Sequence, residues 1–282
     1  MIASPYRYQL RNYTDRIVRG ACVVALILAI IPLGLVLYYV TAHGIGGIDL
    51  NFFTKLPTPV GENGGGMANA ISGTLELVAL ASLFGIPPGI LAGIYLSEYG
   101  DKTFGRLVRF SADVMSGIPS ITIGLFVYAL IVMRVKHFSA IAGAVALAII
   151  MLPTVTRTTE ELLRLVPDAL REAALGLGVP RYKTTLRIVL RTALPGIATG
   201  VMLAIARVAG ETAPLLFTAF SNRFWSSSVN EPTASLPVQI YTYAVSPYED
   251  WHRQAWAAAF VLVAIVLILN LSARVLVRNK VR

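Results

Sequence analysis

Charge is scarce in this sequence. Asp, Glu, Lys and Arg make up 14% of 282 residues, 56% are hydrophobic, and the mean hydropathy is +0.68. A soluble domain carries roughly a quarter charged residues, so that class is excluded. Cysteine occurs once, at Cys22 inside an apolar run, which rules out an intrachain disulfide and any cysteine metal site. The three histidines, His43, His137 and His252, are far apart in sequence and fall in outer loops or at span ends, so they read as polar surface groups. There is no G-x-x-x-x-G-K-[S/T], hence no P-loop for ATP, and H-E-x-x-H and G-x-S-x-G are also missing. An enzyme is therefore poorly supported, and no cofactor is expected in the chain itself. No solenoid-type repeat is visible. No signal peptide is expected either, because the polar head to Arg19 leads into a run long enough to span and without an A-x-A site.

What the sequence does contain is long apolar runs with few charges, the mark of a polytopic, all-α membrane protein. Six transmembrane helices are predicted, at about 20–41, 68–96, 111–133, 139–156, 193–217 and 255–277. They divide the chain into an N-terminal segment, 1–19, and a single transmembrane domain, 20–282, whose longest inner loop is 157–192. A Gly-rich loop (43–66, including Gly61) follows the first span, and a second long loop covers 218–254. Basic residues test this map. With the N-terminus in the cytoplasm, eighteen Lys and Arg fall inside and five outside, and Arg207 lies within a span. That asymmetry places both termini and the loop 157–192 in the cytoplasm. It also explains the net charge of +9 without nucleic acid as a partner. The second and fifth spans are interrupted by Pro and Gly (Pro87-Pro88-Gly89; Gly210 and Pro214). Such interruptions line transport pathways in some proteins and are packing kinks in others.

The inner loop carries an amphipathic segment, Pro167 to Gly178. Pro167 suits the first position of a helix and Asp168 its first turn. Gly178, with Pro180 beyond it, stops the helix. Leu170, Ala173, Ala174 and Leu177 recur at i, i+3, i+4 and i+7 and form one apolar, partly small-residued face. A helix of this kind in a cytoplasmic loop fits a groove on a partner protein, the headgroup layer of the lipid, or its own bundle.

Ionisable residues at membrane depth need a reason. Arg207 lies about two-thirds along the fifth span, where an arginine costs about 2.5–3.5 kcal/mol on insertion scales. Glu211, four residues on, is placed to pair with it, in the weaker Arg-before-Glu order. The pair reads either as an anion-recognising arginine moderated by Glu211 or as a structural ion pair. Arg157 and Glu160, three apart at the inner end of the fourth span, read as a second charged station or as snorkelling residues. Glu76 in the second span has no sequence neighbour to support it, and Gly117-Ile-Pro-Ser120 reads as a flexible, hydroxyl-bearing turn near a span start or as a plain helix N-terminus.

Glu172-Ala-Ala-x-x-x-Gly178, followed by Ile188, resembles the "EAA" loop of ABC-importer permeases. The family's closing I-x-L-P reads Ile188-Val-Leu190-Arg191 here. Ala92–Tyr99 (AGIYLSEY), Ser116–Ser120 (SGIPS), Ala206–Thr218 (ARVAGETAPLLFT), Leu236–Tyr241 (LPVQIY) and Ala255–Ala259 (AWAAA) are similar to the permeases of the bacterial phosphate-specific ABC importer, and to the A-type half of that pair. The resemblance covers nearly the whole chain. It implies a type I importer permease fold with a cytoplasmic coupling helix, in the bacterial inner membrane. ATP hydrolysis would belong to a partner that binds ATP and Mg. The implied partners are a second permease in a heterodimer, two copies of a cytoplasmic ATPase, and an extracytoplasmic phosphate-binding protein. Leu170, Glu172, Ala173, Ala174, Leu177 and Gly178 would meet the ATPase, and Arg157, Glu160, Arg207 and Glu211 would form the substrate pathway. Molybdate or sulfate as the solute, or a secondary transporter without an ATPase, are the competing expectations.

Overall fold

The computed structural model describes residues 5–59, 62, 64–100 and 102–279, and every regular element among them is helical. Gly61 of the Gly-rich loop and Lys280 and Arg282 of the basic tail lie outside the described residues. Helix is what a chain this apolar must adopt, because it satisfies every backbone polar group without water. α1 (Pro5–Gly44) runs unbroken through the 19/20 boundary, so residues 5–19 are the first turns of the same helix as the span. α2 (Leu50–Thr54) is a short helix in the Gly-rich loop, capped by Asp49, whose Oδ1 accepts from the Phe52 N–H at 2.7 Å. α3 (Ala68–Tyr99) passes through Pro87 and Pro88 without a break, so the interruption expected there is absent.

The breaks lie elsewhere. α4 (Thr103–Gly117) and α5 (Ser120–Val135, with a π-type turn at 128–132) meet at 104°, so the single span expected at 111–133 is a bent pair. Ile118 precedes a proline and is held extended, at φ −73° and ψ 129°, and Pro119 has no N–H to carry the helix across. α6 (Ala140–Arg164) starts on a Ser139 cap and continues past 156. α7 (Asp168–Gly176) is the loop helix. α8 (Arg181–Ala209) begins well before 193 and stops before 217; Gly210–Thr212 break it from α9 (Ala213–Thr218). α10 (Leu236–Ala244) lies in the second long loop, and α11 (Glu249–Asn279) runs to the last described residue. Among the described residues five helices, α1, α3, α6, α8 and α11, are long and apolar enough to cross a membrane, and the α4–α5 pair makes a sixth if it is one span.

The core is built on a glycine seam. Gly85, Gly89 and Gly93 of α3 face Ala148, Val155 and Thr159 of α6. Small residues at one helical spacing let the two backbones approach closely, which is how helices associate in lipid. Leu77, Leu147, Met151, Val155 and Ile197 fill the space between α3, α6 and α8. A second cluster (Phe52, Met67, Leu236, Tyr243) ties α2, the start of α3, α10 and α11 together, with Tyr243 stacked on Trp251 at 4.3 Å. α1 stays outside both clusters. It meets α11 near its far end, where Gly44 lies against Phe260.

A Cβ added to Gly93 would sit 2.5 Å from the Thr159 Cβ and 2.7 Å from the Thr156 carbonyl oxygen. Gly93→Val is therefore expected to destabilise the bundle by about 1–3 kcal/mol, the usual cost of overpacking. A lowered unfolding midpoint in a detergent titration, with Gly20→Val (open space around it) unchanged, is the expected readout.

Candidate coupling and translocation sites

α7 is set up by its ends. Pro167 occupies the cap position, one residue earlier than expected, and Asp168 opens the first turn. At the other end the Val179 N–H donates to the Ala174 carbonyl at 3.1 Å, and the Gly178 N–H to that of Leu175 at 2.9 Å. Gly178 adopts φ +77°, so this is a Schellman stop that a side chain at 178 would strain. The apolar face divides. Ala174 is buried against the bundle, whereas Leu170, Glu172, Ala173 and Gly178 are exposed and Leu177 is 85% exposed. Ala174 therefore leaves the expected docking face, because α7 needs one small residue to rest on the chain at 181–189. The remaining Leu170, Ala173 and Leu177 present a free apolar and small surface.

Arg171 on the same helix turns the other way. Its guanidinium pairs with Glu98 near the C-terminal end of α3 and donates through Nη2 to the Leu163 carbonyl at 2.9 Å. Arg181, at the start of α8, lies 3.8 Å from the second Glu98 oxygen. A cavity of about 510 Å³, lined by Ser97, Glu98, Arg164, Asp168, Arg171 and Arg181 among others, opens behind α7 at this point.

Arg157 and Glu160 are part of a larger charged cluster. The Glu160 side chain is 3% exposed, pairs with three arginines and accepts hydrogen bonds from two of them, Arg109 and Arg157. Arg109 of α4 reaches Oε1 with Nε at 3.0 Å and Nη2 at 2.6 Å. Arg157 reaches Oε2 at 3.3 Å, and Arg164 reaches Oε1 at 3.1 Å. Arg157 is held in turn by Asp113 of α4. The cluster closes α4 against the C-terminal half of α6. Spacing within one helix points to Arg157–Glu160 and to the Arg109–Asp113 stripe on α4, but nothing in the sequence pairs Arg109 with a residue 51 positions away.

Arg207 is in a different place. It lies in the last turn of α8, its side chain is 53% exposed, and it sits 3.8 Å from Glu211 in the break that follows. Gly200 faces Thr158 of α6. At 1.5 Å per residue Arg207 is about 10 Å further along α8 than that level. The structure thus brings together Arg157 with Glu160, and Arg207 with Glu211, but not the two pairs with each other. The break beside Arg207 packs on the other broken span, with Gly124 of α5 against Pro214 of α9. Glu76 is half-buried on α3 and makes no ion pair with any described residue. No cluster of His, Cys, Asp or Glu fit for a metal occurs among the described residues.

Residues 85–282 match the family of binding-protein-dependent transport system inner membrane components. Curated relatives include the phosphate transport system permease protein PstA of Haemophilus influenzae, 44% identical over 275 residues that cover 97% of each chain. The protein of the same name from Yersinia pestis is 48% identical over 87% of this chain and 83% of its own. PstA 1 of Mycobacterium tuberculosis is 40% identical over 88% of this chain. Among solved structures, a bacterial alginate ABC transporter in complex with its alginate pentasaccharide-bound periplasmic protein superimposes with a TM-score of 0.67, 17% identity, and 95% of this chain and 96% of that chain covered. The inward-facing MetNI methionine ABC transporter gives a TM-score of 0.62 at 20% identity. At such identities these two likenesses speak to the fold alone.

Removing the Glu160 charge would leave its arginines facing each other around a buried site. Glu160→Ala is expected to cost more than about 1 kcal/mol, and less than the 3–5 kcal/mol of a wholly buried pair because the arginines reach water. Chemical denaturation of the purified protein reads it, with Asp113→Asn, whose partner keeps a second carboxylate, expected to be milder.

Proposed function

The chain belongs to the family of binding-protein-dependent transport system inner membrane components, and from that premise we propose that it is the membrane permease half of an ATP-driven importer of inorganic phosphate. The likeness to phosphate permeases across 97% of both chains carries the substrate. The exposed face of α7 supports the way in which it is driven. The chain has no P-loop, so ATP, Mg and hydrolysis belong to a partner. Two copies of a cytoplasmic ATPase, one under this chain and one under a second permease, take up α7 and its counterpart in grooves. Leu170, Ala173 and Leu177 fill the groove, and Gly178 ends the inserted helix. Both termini lie in the cytoplasm of a bacterial cell, and the chain crosses the inner membrane several times. An extracytoplasmic phosphate-binding protein delivers the solute to the outer loops.

Arg207 is the residue in this chain suited to meet phosphate on its way. It is half exposed at a break between helices and, among the described residues, is accompanied by one carboxylate, Glu211 at 3.8 Å. Such a contact attracts an anion without trapping it, as passage requires. Glu211 moderates the charge. Arg157 and Glu160 act differently in this scheme. Their charges are spent on each other, Arg109, Arg164 and Asp113, so they hold α4 against α6 and do not touch solute.

Uptake of labelled phosphate by cells or proteoliposomes carrying the whole importer tests this. Arg207→Ala is expected to lower uptake about tenfold or more, the scale of one lost charge-assisted contact, with the protein still folded. Excess molybdate and sulfate should leave wild-type uptake unchanged. Normal uptake by the variant removes Arg207 from the pathway, and competition by either anion replaces phosphate as the solute. Ala173→Trp is expected to abolish co-purification of the ATPase while leaving the bundle intact.

A further inference from the structure

We infer that the Arg171–Glu98 ion pair is the strut that carries movement of α7 directly to α3. The inference rests on the reading of α7 as the helix an ATPase displaces. α7 is a short helix with one buried residue, Ala174, so packing alone gives it little grip. Its packed neighbours among the described residues are the chain at 181–189, in sequence just beyond it. Its other connections are the loops at either end. The cavity of about 510 Å³ opens beside it, and Arg171 and Glu98 both lie in its lining.

The chemistry at the far end makes the strut stiff. The Glu98 carboxylate is 7% exposed and the Arg171 side chain 19% exposed. A carboxylate removed from water to that degree is held by its cations, and separating the pair leaves a buried charge unpaired. Arg171 is fixed at a second point by the Leu163 carbonyl at the end of α6. Arg181 approaches the same Glu98 from the start of α8. One carboxylate on α3 thus gathers the coupling helix and the root of the next span, and the Leu163 bond adds α6. α3 in turn is locked to α6 by the glycine seam, so displacement delivered to Glu98 moves α3 and α6 together.

Arg171 and Glu98 are positioning residues and touch no solute in this account. The test measures linkage and transport separately, in the assembled importer with Cys22→Ser as background. Spin labels at Ala169 on α7 and Leu91 on α3, both exposed, report the distance between the helices without nucleotide and with ATP. One narrow distance, unchanged by ATP, is expected with the pair intact. Glu98→Gln and Arg171→Ala should broaden it and make it respond to ATP. They should also lower phosphate transported per ATP hydrolysed by about fivefold or more, the factor of a modest coupling energy. Arg171→Lys, which keeps the charge, should recover part of the ratio, and the double variant should be no worse than either single one. A wild-type distance that shifts with ATP, or Glu98→Gln with a wild-type distance and ratio, overturns the strut. Failure of the wild-type importer to take up phosphate overturns the proposed substrate instead, and the distance measurement still decides the strut.

Discussion

Glu160 holds a charge where little water reaches it, and the inner half of the bundle is arranged around that constraint. A carboxylate in such a place is stable only with cations at hydrogen-bond distance. Arg157 and Arg164 come from its own helix, and Arg109 must come from α4. That requirement brings α4 under α6, and Asp113 then answers the spare charge on Arg157. Glu98 repeats the arrangement with Arg171 and Arg181. The glycine seam makes both possible, since α3 and α6 approach closely enough for Glu98 and Glu160 to share one charged layer.

This layer and the helix break at 210–212 divide the labour along the chain. The charges around Glu160 are paired with one another. Arg207, further along α8, is only loosely accompanied, which is the state that the proposed contact with solute requires. An arginine answered by several carboxylates has little attraction left for a passing anion, and a loosely held arginine cannot fix a helix.

The sequence made the solvent-driven features legible. Apolar runs and the one-sided distribution of Lys and Arg follow from transfer free energies that each residue obeys alone. The loop helix was legible for the same reason, with its proline start and glycine stop written locally. Breaks were less so. Pro87-Pro88 suggested one, yet α3 stays helical along its seam with α6. Gly117-Ile-Pro suggested a turn or a plain helix start, without its size, and the extended Ile118 turns the chain through 104°. Arg207–Glu211 and Arg157–Glu160 were visible because each is within one helical turn of its partner. Arg109–Glu160 and Arg171–Glu98 were not, because long-range pairs arise only once the helices are packed. Ala174 was placed on the wrong face because periodicity gives a face its width and not its direction.

The outlying position of α1 bears on the order in which the protein is made. Its substantial contact is with α11, whose first turns follow Gly44 by about two hundred residues, roughly 10–40 s of synthesis at 5–20 residues per second. During that interval α1 has no companion in its own chain. It is the most hydrophobic of the spans, at a window hydropathy of 2.8, and wholly exposed there. It is thus built to wait in lipid alone until α11 arrives to pack against it.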